Sequence, residues 1–280
     1  MKIKEILNLT NEEFLDHGIE NYFYEARELM AFVLGQTKEW VAANLENEVA
    51  EENYKKFVEL KNERIQGTPL QYILGEQYFM GLKFLVNKDV LIPRPDTEVL
   101  VYEVLELVKK CPKKLKILDL CTGSGCIAIS LAKNVKNAEI FASDISDKAL
   151  AVAKKNSELN ETGVKFLKSD MFQDIVEKDF DIIVSNPPYI ASSDMASLSK
   201  EVLEEPYGAL DGGADGLDFY RKISENALNY LSKNGTLALE IGYNQAEVIF
   251  DILRKFKYNN IRLFKDYSGN DRVVIAQNSF

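Results

Sequence analysis

Short apolar runs that alternate with amphipathic helical segments are the feature that most constrains the fold of this chain. They begin after Lys116 and continue almost to the end. The predicted strands are residues 117–120, 139–142, 164–167, 180–184, 236–241, a run near 261, and residues 272–276. Parallel strands need long crossovers, which are usually helices, so the alternation predicts an α/β fold with a doubly wound parallel sheet of seven strands. A helix is expected over 217–231.

The first 74 residues carry the punctuation of short helices instead. The sequence Thr10-Asn11-Glu12-Glu13 matches a capping box, which predicts a helix that starts there and stops at Gly18. Further helices are predicted over 22–34, from Thr37 onward, and over 49–66. We therefore expect a helical domain over residues 1–74. Two interpretations of it stay open: a helical bundle with a solvated charged face, and a module that recognises a macromolecular substrate.

Between these two regions the pattern changes to period two. Residues 77–86 alternate around Met80-Gly81, which predicts a β-hairpin that turns there. The next segment, Ile92-Pro93-Arg94-Pro95, is stiff and extended, and Asp96 or Thr97 is expected to cap a helix that follows it. We therefore expect a hairpin linker over 75–95 and a larger domain over 96–280.

The loop Asn186-Pro187-Pro188-Tyr189 follows a predicted buried strand and so falls at the carboxyl edge of the sheet, where open α/β folds bind ligands. Two adjacent prolines make this loop stiff. The side-chain carbonyl of Asn186 and the backbone carbonyl of Pro187 can accept both N–H bonds of a planar amino group, and Tyr189 can cover its face. A Pro-Pro turn that merely ends a strand is the simpler interpretation. The position in the sheet favours an acceptor site for a glutamine amide or an adenine amine.

A second loop joins the first strand of the sheet to a helix. Its residues are Cys121, Thr122, Gly123, Ser124 and Gly125. The glycines let the backbone approach a ligand at a helix N-terminus, where free N–H groups attract anionic groups. With Ala128 they also satisfy the loose dinucleotide pattern, so an NAD site has to be considered. Asp144 ends the second strand, where it can accept both ribose hydroxyls of an adenosine-containing cofactor or cap a helix with Ser146.

The surroundings of this loop distinguish the two cofactors. Asp119 lies two residues before Cys121, the first residue of the loop, and suits the positive sulfonium of S-adenosylmethionine better than a pyrophosphate. After the third strand, Asp170 can accept from an adenine amine, and Met171 or Phe172 can flank the ring, although core packing is the simpler role for both. Together the two loops favour S-adenosylmethionine as a methyl donor that faces an amine acceptor.

Composition and charge narrow the classes of partner. The formal net charge of −10 argues against duplex DNA or an anionic membrane, because both favour a basic face. Cys111, Cys121 and Cys126 form no CxxC pair and predict reduced thiols, so neither disulfides nor a metal site is expected. His17 is the only histidine, which argues against histidine-dependent catalysis. With no signal-peptide core and no run long enough for a membrane span, a cytoplasmic protein is expected.

With these two loops and this order of regions, the sequence resembles the protein-(glutamine) methyltransferases that modify peptide chain release factors. The likeness extends over nearly the whole chain. Its most specific segments are residues 71–76, 91–98, 186–190, 205–206, 212–217 and 271–274. The resemblance implies a helical N-terminal domain, a hairpin linker and a Rossmann-like class I methyltransferase domain. It also implies methyl transfer from S-adenosylmethionine to the glutamine amide of the Gly-Gly-Gln motif in release factors.

Residue by residue, the resemblance implies two sets of site positions. The cofactor-binding set is Cys121, Thr122, Gly123, Ser124, Gly125, Asp144, Asp170 and Met171. The glutamine-binding set is Asn186, Pro187, Pro188 and Tyr189, of which Asn186, Pro187 and Tyr189 are expected to be catalytic. Cys121 stands where many relatives have glycine, and Met171 where some have tryptophan. The first change is expected to tighten the loop, and the second weakens the expectation of aromatic stacking on adenine.

Other functions fit fewer of these features. An adenine amine methyltransferase is the nearest alternative, because the same acceptor loop suits a flipped-out base. The charge and the lack of a basic, aromatic-rich cluster outside residues 109–116 argue against it. An NAD-dependent oxidoreductase leaves the acceptor loop without a role. A non-catalytic adaptor would be expected to lack an intact acceptor loop, but the loop is complete here. The roles of Arg94, Glu98 and the loop 212–217 stay open, the last as either a gate over the acceptor or a plain connection.

Overall fold

The computed structural model describes residues 1–109, 111 and 113–279, so Lys110 and Pro112 of the segment 109–116 lie outside the described residues. The helices are α1 (Ile3–Asp16), α2 (Tyr22–Leu34), α3 (Lys38–Ala43), α4 (Glu51–Gln66), α5 (Leu70–Leu74), α6 (Thr97–Val108), α7 (Cys126–Asn134), α8 (Asp147–Leu159), α9 (Lys200–Leu203), α10 (Asp218–Asn226) and α11 (Ala246–Lys255). The strands are β1 (Glu76–Phe79), β2 (Leu82–Leu85), β3 (Leu115–Leu120), β4 (Ala138–Asp144), β5 (Lys165–Lys168), β6 (Phe180–Ser185), β7 (Leu231–Glu240), β8 (Asn259–Lys265) and β9 (Asp271–Gln277). No helix within the described ranges is both long and apolar enough to cross a bilayer.

The chain divides into two compact units. The first is Met1–Gly75 with Ser199–Glu204, and the second is Glu76–Leu198 with Glu205–Phe280. In the first unit, α1 to α5 pack around one apolar core whose most buried side chains include Phe14, Leu29, Met30 and Phe57. As predicted, α2 ends at Gly35, and Thr37 caps α3 by accepting a hydrogen bond from the backbone N–H of Trp40 at 3.1 Å.

The predicted helix start at Thr10 is wrong. Helix α1 begins at Ile3 and continues through Thr10, whose buried hydroxyl donates to the carbonyl of Ile6 at 2.8 Å. The start is stabilised instead at Lys2, whose backbone N–H donates to the carboxylate of Glu5 at 2.9 Å. The apolar residues before Thr10 belong to the core, and burial of that stripe outweighs a local sequence pattern typical of a cap.

A buried ion-pair cluster joins the later segment of the first unit to its earlier helices. Arg64 of α4 is 3% exposed and pairs with Glu25 of α2 and with Glu201 of α9. A guanidinium presents several donors in one plane and can serve two carboxylates at once. One arginine therefore ties the segment Ser199–Glu204 to the helical unit.

The second unit contains a sheet of seven strands, counted over the described residues, in the order β5-β4-β3-β6-β7-β9-β8. The pairs from β5 to β7 are parallel. Successive residues of β3 point to opposite faces, so Ile117 belongs to a core with α6 and α7, whereas Leu118 belongs to a core with α10 and α11. The predicted α/β fold with a seven-stranded sheet and helices on both faces is confirmed.

Two details of that prediction need correction. Strand β9 is antiparallel to both β7 and β8, because the link from Lys265 to Asp271 is too short for a crossover and can only make a hairpin. The helix predicted over 217–231 is shorter, since α10 ends at Asn226. Leu231 is the first residue of β7, where its side chain is buried in the core.

The hairpin of β1 and β2 turns at Met80-Gly81, as predicted. Both residues have positive φ, 51° and 73°, which matches a turn whose twist suits the flanking strands. The hairpin is fixed by Asn156 of α8, which is fully buried, accepts from the N–H of Leu85 at 2.6 Å and donates to its carbonyl at 3.0 Å. The same Asn156 amide donates to the carbonyl of Ser124 at 2.9 Å. One side chain thus joins the hairpin to the glycine loop.

Candidate active site

The carboxyl ends of β3 to β6 surround a cavity of about 400 Å³. The predicted site residues that line it are Cys121, Gly123, Asp144, Asp170, Met171, Asn186 and Pro188. The predicted residues that do not line it are Thr122, Ser124, Gly125, Pro187 and Tyr189. The two loops that were expected to hold a donor and an acceptor therefore open on one space. Its volume is in the range of small-molecule sites.

The glycine loop needs glycine at its last position. Gly125 has φ of 81°, and a Cβ there would lie 2.9 Å from Cδ1 of Ile129 and 3.1 Å from Cβ of Ala153. This close approach lets α7 begin directly under the loop. Gly123 also has positive φ, 54°, and is open to the cavity.

Asp119, which was expected beside the sulfonium, is instead buried at the base of the loop. Its Oδ2 accepts from the hydroxyl of Thr122 at 2.6 Å and from the N–H of Ala128 at 3.2 Å. Burial raises the pKa of Asp119 to about 7. Asp119 therefore shapes the loop from within the protein and does not line the cavity.

Asp144 connects the glycine loop to the start of α8. Its Oδ2 accepts from the N–H of Gly123 and its Oδ1 from the N–H of Ser146, both at 2.9 Å. Helix α8 is capped by the Ser146 hydroxyl, which accepts from the N–H of Ala149 at 3.2 Å, and not by Asp144 itself. Burial raises the pKa of Asp144. Each carboxylate oxygen keeps a further lone pair for a ligand hydroxyl.

In the loop after β5, the two apolar residues that were expected to flank the adenine ring, Met171 and Phe172, lie in different surroundings. Phe172 is buried and stacks on Tyr230, with ring centroids 4.7 Å apart, so it is a core residue. Met171 lines the cavity, and its Sδ lies 3.9 Å from Sγ of Cys121. Asp170 is exposed at the cavity edge and accepts from the side-chain amide of Gln173 at 3.3 Å.

The acceptor loop divides between two cavities. Asn186 and Pro188 line the larger cavity, whereas Tyr189 lines a separate one of about 240 Å³. The Asn186 side chain donates through Nδ2 to the hydroxyl of Thr97 at 3.3 Å. Burial raises the pKa of the Tyr189 phenol to about 12, so the phenol is neutral at physiological pH.

The loop 212–217 packs against the backbone of Tyr189. The N–H of Gly212 donates to the carbonyl of Ile190 at 2.8 Å, and a Cβ at Gly212 would lie 2.8 Å from Cα of Tyr189. A Cβ at Gly216 would lie 2.4 Å from the Tyr189 carbonyl, which also accepts from the Gln245 side chain at 3.0 Å. The loop thus braces the acceptor motif through its contacts with the backbone of Tyr189 and Ile190.

Arg94 and Glu98, whose roles the sequence left open, do not line the cavity. Arg94 pairs with the buried carboxylate of Glu205, which also accepts from the N–H of Ile92 at 3.0 Å. Glu98 accepts from the N–H of Met80 at 2.6 Å, at the turn of the hairpin. Both charges therefore hold the extended segment and the hairpin in position.

Sequence reasoning missed several residues that line the larger cavity, among them Ile145, Pro206, Phe219 and Lys222. Ile145 had a readable signal, because it is an apolar residue directly after the strand-ending Asp144; in the structure it is 61% exposed. Pro206 lies in a segment that marked the family resemblance. Phe219 and Lys222 belong to α10, which the sequence placed on the sheet without indicating which of its side chains reach the cavity.

Two family models match the chain. Residues 97–215 match the model described as Methyltransferase small domain, and residues 5–75 match the one described as PrmC N-terminal domain. The first match contains the glycine loop, Asp144 and the acceptor loop. The second falls within the helical unit.

Individual proteins extend this likeness. A release factor glutamine methyltransferase of Thermodesulfovibrio yellowstonii is 44% identical over 259 residues, which cover 91% of this chain and 92% of that one. One of Geobacter sulfurreducens is 39% identical over 273 residues, which cover 97% of this chain and 95% of that one. A crystal structure of a methyltransferase from Pyrococcus furiosus matches with a TM-score of 0.54 at 23% identity, over 71% of this chain and 90% of that one, so this likeness concerns the fold.

The fold, the glycine loop and the aspartate at the end of the next strand are those of a class I methyltransferase, an enzyme with S-adenosylmethionine as methyl donor. More narrowly, the chain belongs to the family of release factor glutamine methyltransferases. It is 39% identical to the Geobacter member of that family over nearly its full length. The resemblance stated from the sequence is therefore confirmed.

Proposed function

We propose that this enzyme methylates the side-chain amide nitrogen of the glutamine in the Gly-Gly-Gln motif of peptide chain release factors, and so modulates translation termination. The names of the Thermodesulfovibrio and Geobacter relatives support a release factor as substrate. The observation that carries the proposal is the shared cavity, on which the donor residues Gly123 and Asp144 and the acceptor residues Asn186 and Pro188 all open.

We assign the donor side to the glycine loop and the carboxylates beside it. The loop of Cys121 to Gly125 brings backbone close to the ligand, and Asp144 offers its remaining lone pairs to the ribose hydroxyls. Asp170 accepts from the adenine amine, and Met171 packs against the ring. These acidic and apolar groups fit a cationic, adenosine-containing ligand. When bound, S-adenosylmethionine supplies an electrophilic methyl group on a positively charged sulfur.

We assign the acceptor side to the stiff loop after β6. The side-chain carbonyl of Asn186, which lines the cavity, accepts one N–H bond of the glutamine amide. Neither Pro187 nor Tyr189 lines that cavity, so the second N–H bond to the Pro187 carbonyl and the packing of Tyr189 against the amide rest on the family resemblance of this loop. Held in this way, the nitrogen lone pair would face the methyl group that S-adenosylmethionine supplies. Transfer would form the C–N bond, leave the C–S electron pair on sulfur and release one amide proton to water. No strong base is needed, because positioning and acceptors that strengthen as nitrogen becomes positive lower the barrier.

We assign recognition of the release factor body to the helical unit. The match of residues 5–75 to a PrmC N-terminal domain supports a dedicated role for it in this family. The acidic net charge of −10 supports a protein substrate over nucleic acid or an anionic membrane, and no metal takes part in the proposed chemistry. Because translation terminates there, we place the enzyme in the cytoplasm.

Methyl transfer from labelled S-adenosylmethionine tests this proposal directly. The acceptors compared are a purified release factor, the same factor with its Gly-Gly-Gln glutamine replaced, and single-stranded DNA. We expect label on the intact factor alone. Label on DNA with none on the factor would overturn the proposal in favour of an adenine amine acceptor.

The acceptor loop is tested by Asn186→Ala. We expect kcat to fall by about 100-fold or more, because an oriented acceptor is lost, while S-adenosylmethionine still binds. Asn137→Ala, an exposed asparagine outside the cavity, is the matched control and should keep wild-type kcat. Wild-type turnover by Asn186→Ala would remove this residue from the catalytic set.

A further inference from the structure

Glu240 is a buried carboxylate that the proposed mechanism does not use. It ends β7, next to β6 and the acceptor loop, and its side chain is 2% exposed. Its polar neighbours are the side chains of Thr97 and Asn186, which favour the ionised carboxylate. Its Oε2 has no hydrogen-bond partner within the described part of the chain. Burying such a group opposes folding, so packing gives no reason for a glutamate here.

The hydrogen bonds around Glu240 have a defined direction. An ionised carboxylate only accepts, so the two side chains that hydrogen-bond to Glu240, the hydroxyl of Thr97 and the amide of Asn186, both turn hydrogen toward it. The lone pairs of that hydroxyl are then left for Nδ2 of Asn186, which donates to Thr97 at 3.3 Å. With Nδ2 held by Thr97, the Asn186 carbonyl oxygen is the group left for the cavity that Asn186 lines. The opposite orientation of the amide would present N–H groups to the N–H groups of the substrate.

We infer that Glu240, acting through Thr97 and by its own contact with Asn186, is a positioning residue that holds the Asn186 side-chain amide with its carbonyl oxygen toward the acceptor. The inference rests on the proposed function, because it assumes that Asn186 accepts from the substrate amide. Glu240 touches neither the substrate nor the donor in this scheme. It determines whether the oxygen or the nitrogen of the Asn186 side-chain amide faces the substrate.

Protonation of Glu240 removes this control. The charged and titratable groups that face it are Arg272, Asp96, Tyr189, Tyr220 and Cys126. Burial raises the pKa of Glu240 to about 7, although Arg272 and the polar neighbours oppose that rise. A protonated carboxyl can donate to Thr97, which frees the Asn186 amide to turn over. The active form is the ionised one, so methyl transfer is expected to fall as the pH drops through about 7.

Glu240→Gln tests the inference at nearly constant shape. A glutamine amide can donate as well as accept, so the direction of the Thr97 hydroxyl is no longer determined. We expect kcat on the alkaline side of pH 7 to fall about tenfold, with the KM for S-adenosylmethionine within about twofold of wild type. The loss of rate at acidic pH should disappear. The unfolding midpoint should not decrease, because a buried charge has been removed.

A second variant and a control complete the test. Thr97→Val removes the linking hydroxyl while keeping the side-chain shape, and it decides the question should Glu240→Gln fail to fold. We expect it to lower kcat by a similar factor. Glu247→Gln, an exposed glutamate at the start of α11, should match wild type.

Three results would each overturn the inference and leave the proposed function standing. They are wild-type kcat in Thr97→Val, wild-type kcat and pH profile in Glu240→Gln, or activity that falls in Glu240→Gln only in proportion to lost stability. Wild-type enzyme that leaves the release factor unlabelled would overturn the proposed function itself. That result is seen before any variant is compared, so the two failures are distinguishable.

Discussion

At the scale of single residues, two side chains of the cavity hold backbone conformations that favour glycine. Cys121 has φ of 59° and Met171 has φ of 52°, and their sulfur atoms lie 3.9 Å apart. Left-handed backbone is unfavourable for residues with a Cβ, and such conformations cluster at functional sites. A glycine, which the family resemblance implies at the position of Cys121, would adopt this positive φ without strain.

Asp119 makes stability depend on pH. Burial raises its pKa from 3.8 to about 7, because the charged form is disfavoured inside the protein. Across that interval the folded protein retains a proton that the unfolded chain releases, so the free energy of unfolding falls as pH rises, by up to about 1.4 kcal/mol for each pH unit. We expect Asp119→Asn to flatten this decline, as measured by urea unfolding at a series of pH values.

The exposed Asp174→Asn is the control for this measurement and should reproduce the wild-type curve. Glu240 and Asp144, whose pKa values are also raised by burial, are expected to contribute to the decline that remains in Asp119→Asn. An unchanged slope in Asp119→Asn would contradict the prediction.

At the scale of elements, helix α8 joins the hairpin to the glycine loop through Asn156. Its side chain satisfies the N–H and carbonyl of Leu85 and the carbonyl of Ser124. Asn156→Ala would leave these backbone groups without that partner, and each buried unsatisfied group costs about 1–3 kcal/mol. We expect the free energy of unfolding to fall by about 3 kcal/mol or more in urea denaturation.

Asn226→Ala is the matched control for this prediction. Asn226 is also a helical asparagine, but it is only half-buried, and its side chain donates to the carbonyl of Lys222 in its own helix. Its replacement should change the free energy of unfolding by less than about 0.5 kcal/mol. A similarly small loss in Asn156→Ala would show that the hairpin is held by packing alone.

At the scale of the whole molecule, ligand binding should stabilise the enzyme. The larger cavity is built entirely from the second unit, so a ligand bound there stabilises that unit directly. S-adenosylmethionine at 100 times its Kd is expected to add about 2.7 kcal/mol to the free energy of unfolding, seen as a rise in the midpoint of thermal unfolding.

Asp144→Ala should remove most of this stabilisation, whereas Asp147→Ala, an exposed aspartate in the first turn of α8, should retain it. NAD at the same concentration should leave the midpoint where it was. A rise with NAD that exceeded the rise with S-adenosylmethionine would contradict the assignment of the donor cavity.

The alternation of strands and helices, the turn at Met80-Gly81 and the positions of the two site loops could all be predicted from the sequence. These features depend on residues close together in the chain, such as a glycine pair or two prolines after an apolar run. The prediction at Thr10 was wrong because it used only neighbouring residues. The capping pattern there lies inside a longer helix, α1, which is held by burial of its apolar face.

Tertiary structure alone decided which residues of those loops face the cavity. Met171 lines it while Phe172 packs in the core, and Asp119 is buried although it lies only two residues before the loop. Likewise, nothing local indicates that Thr97 meets Asn186, since 89 residues separate them. Such contacts form only when β6, β7 and α6 are packed together, so the sequence determined the elements and the site loops, and packing determined which atoms meet.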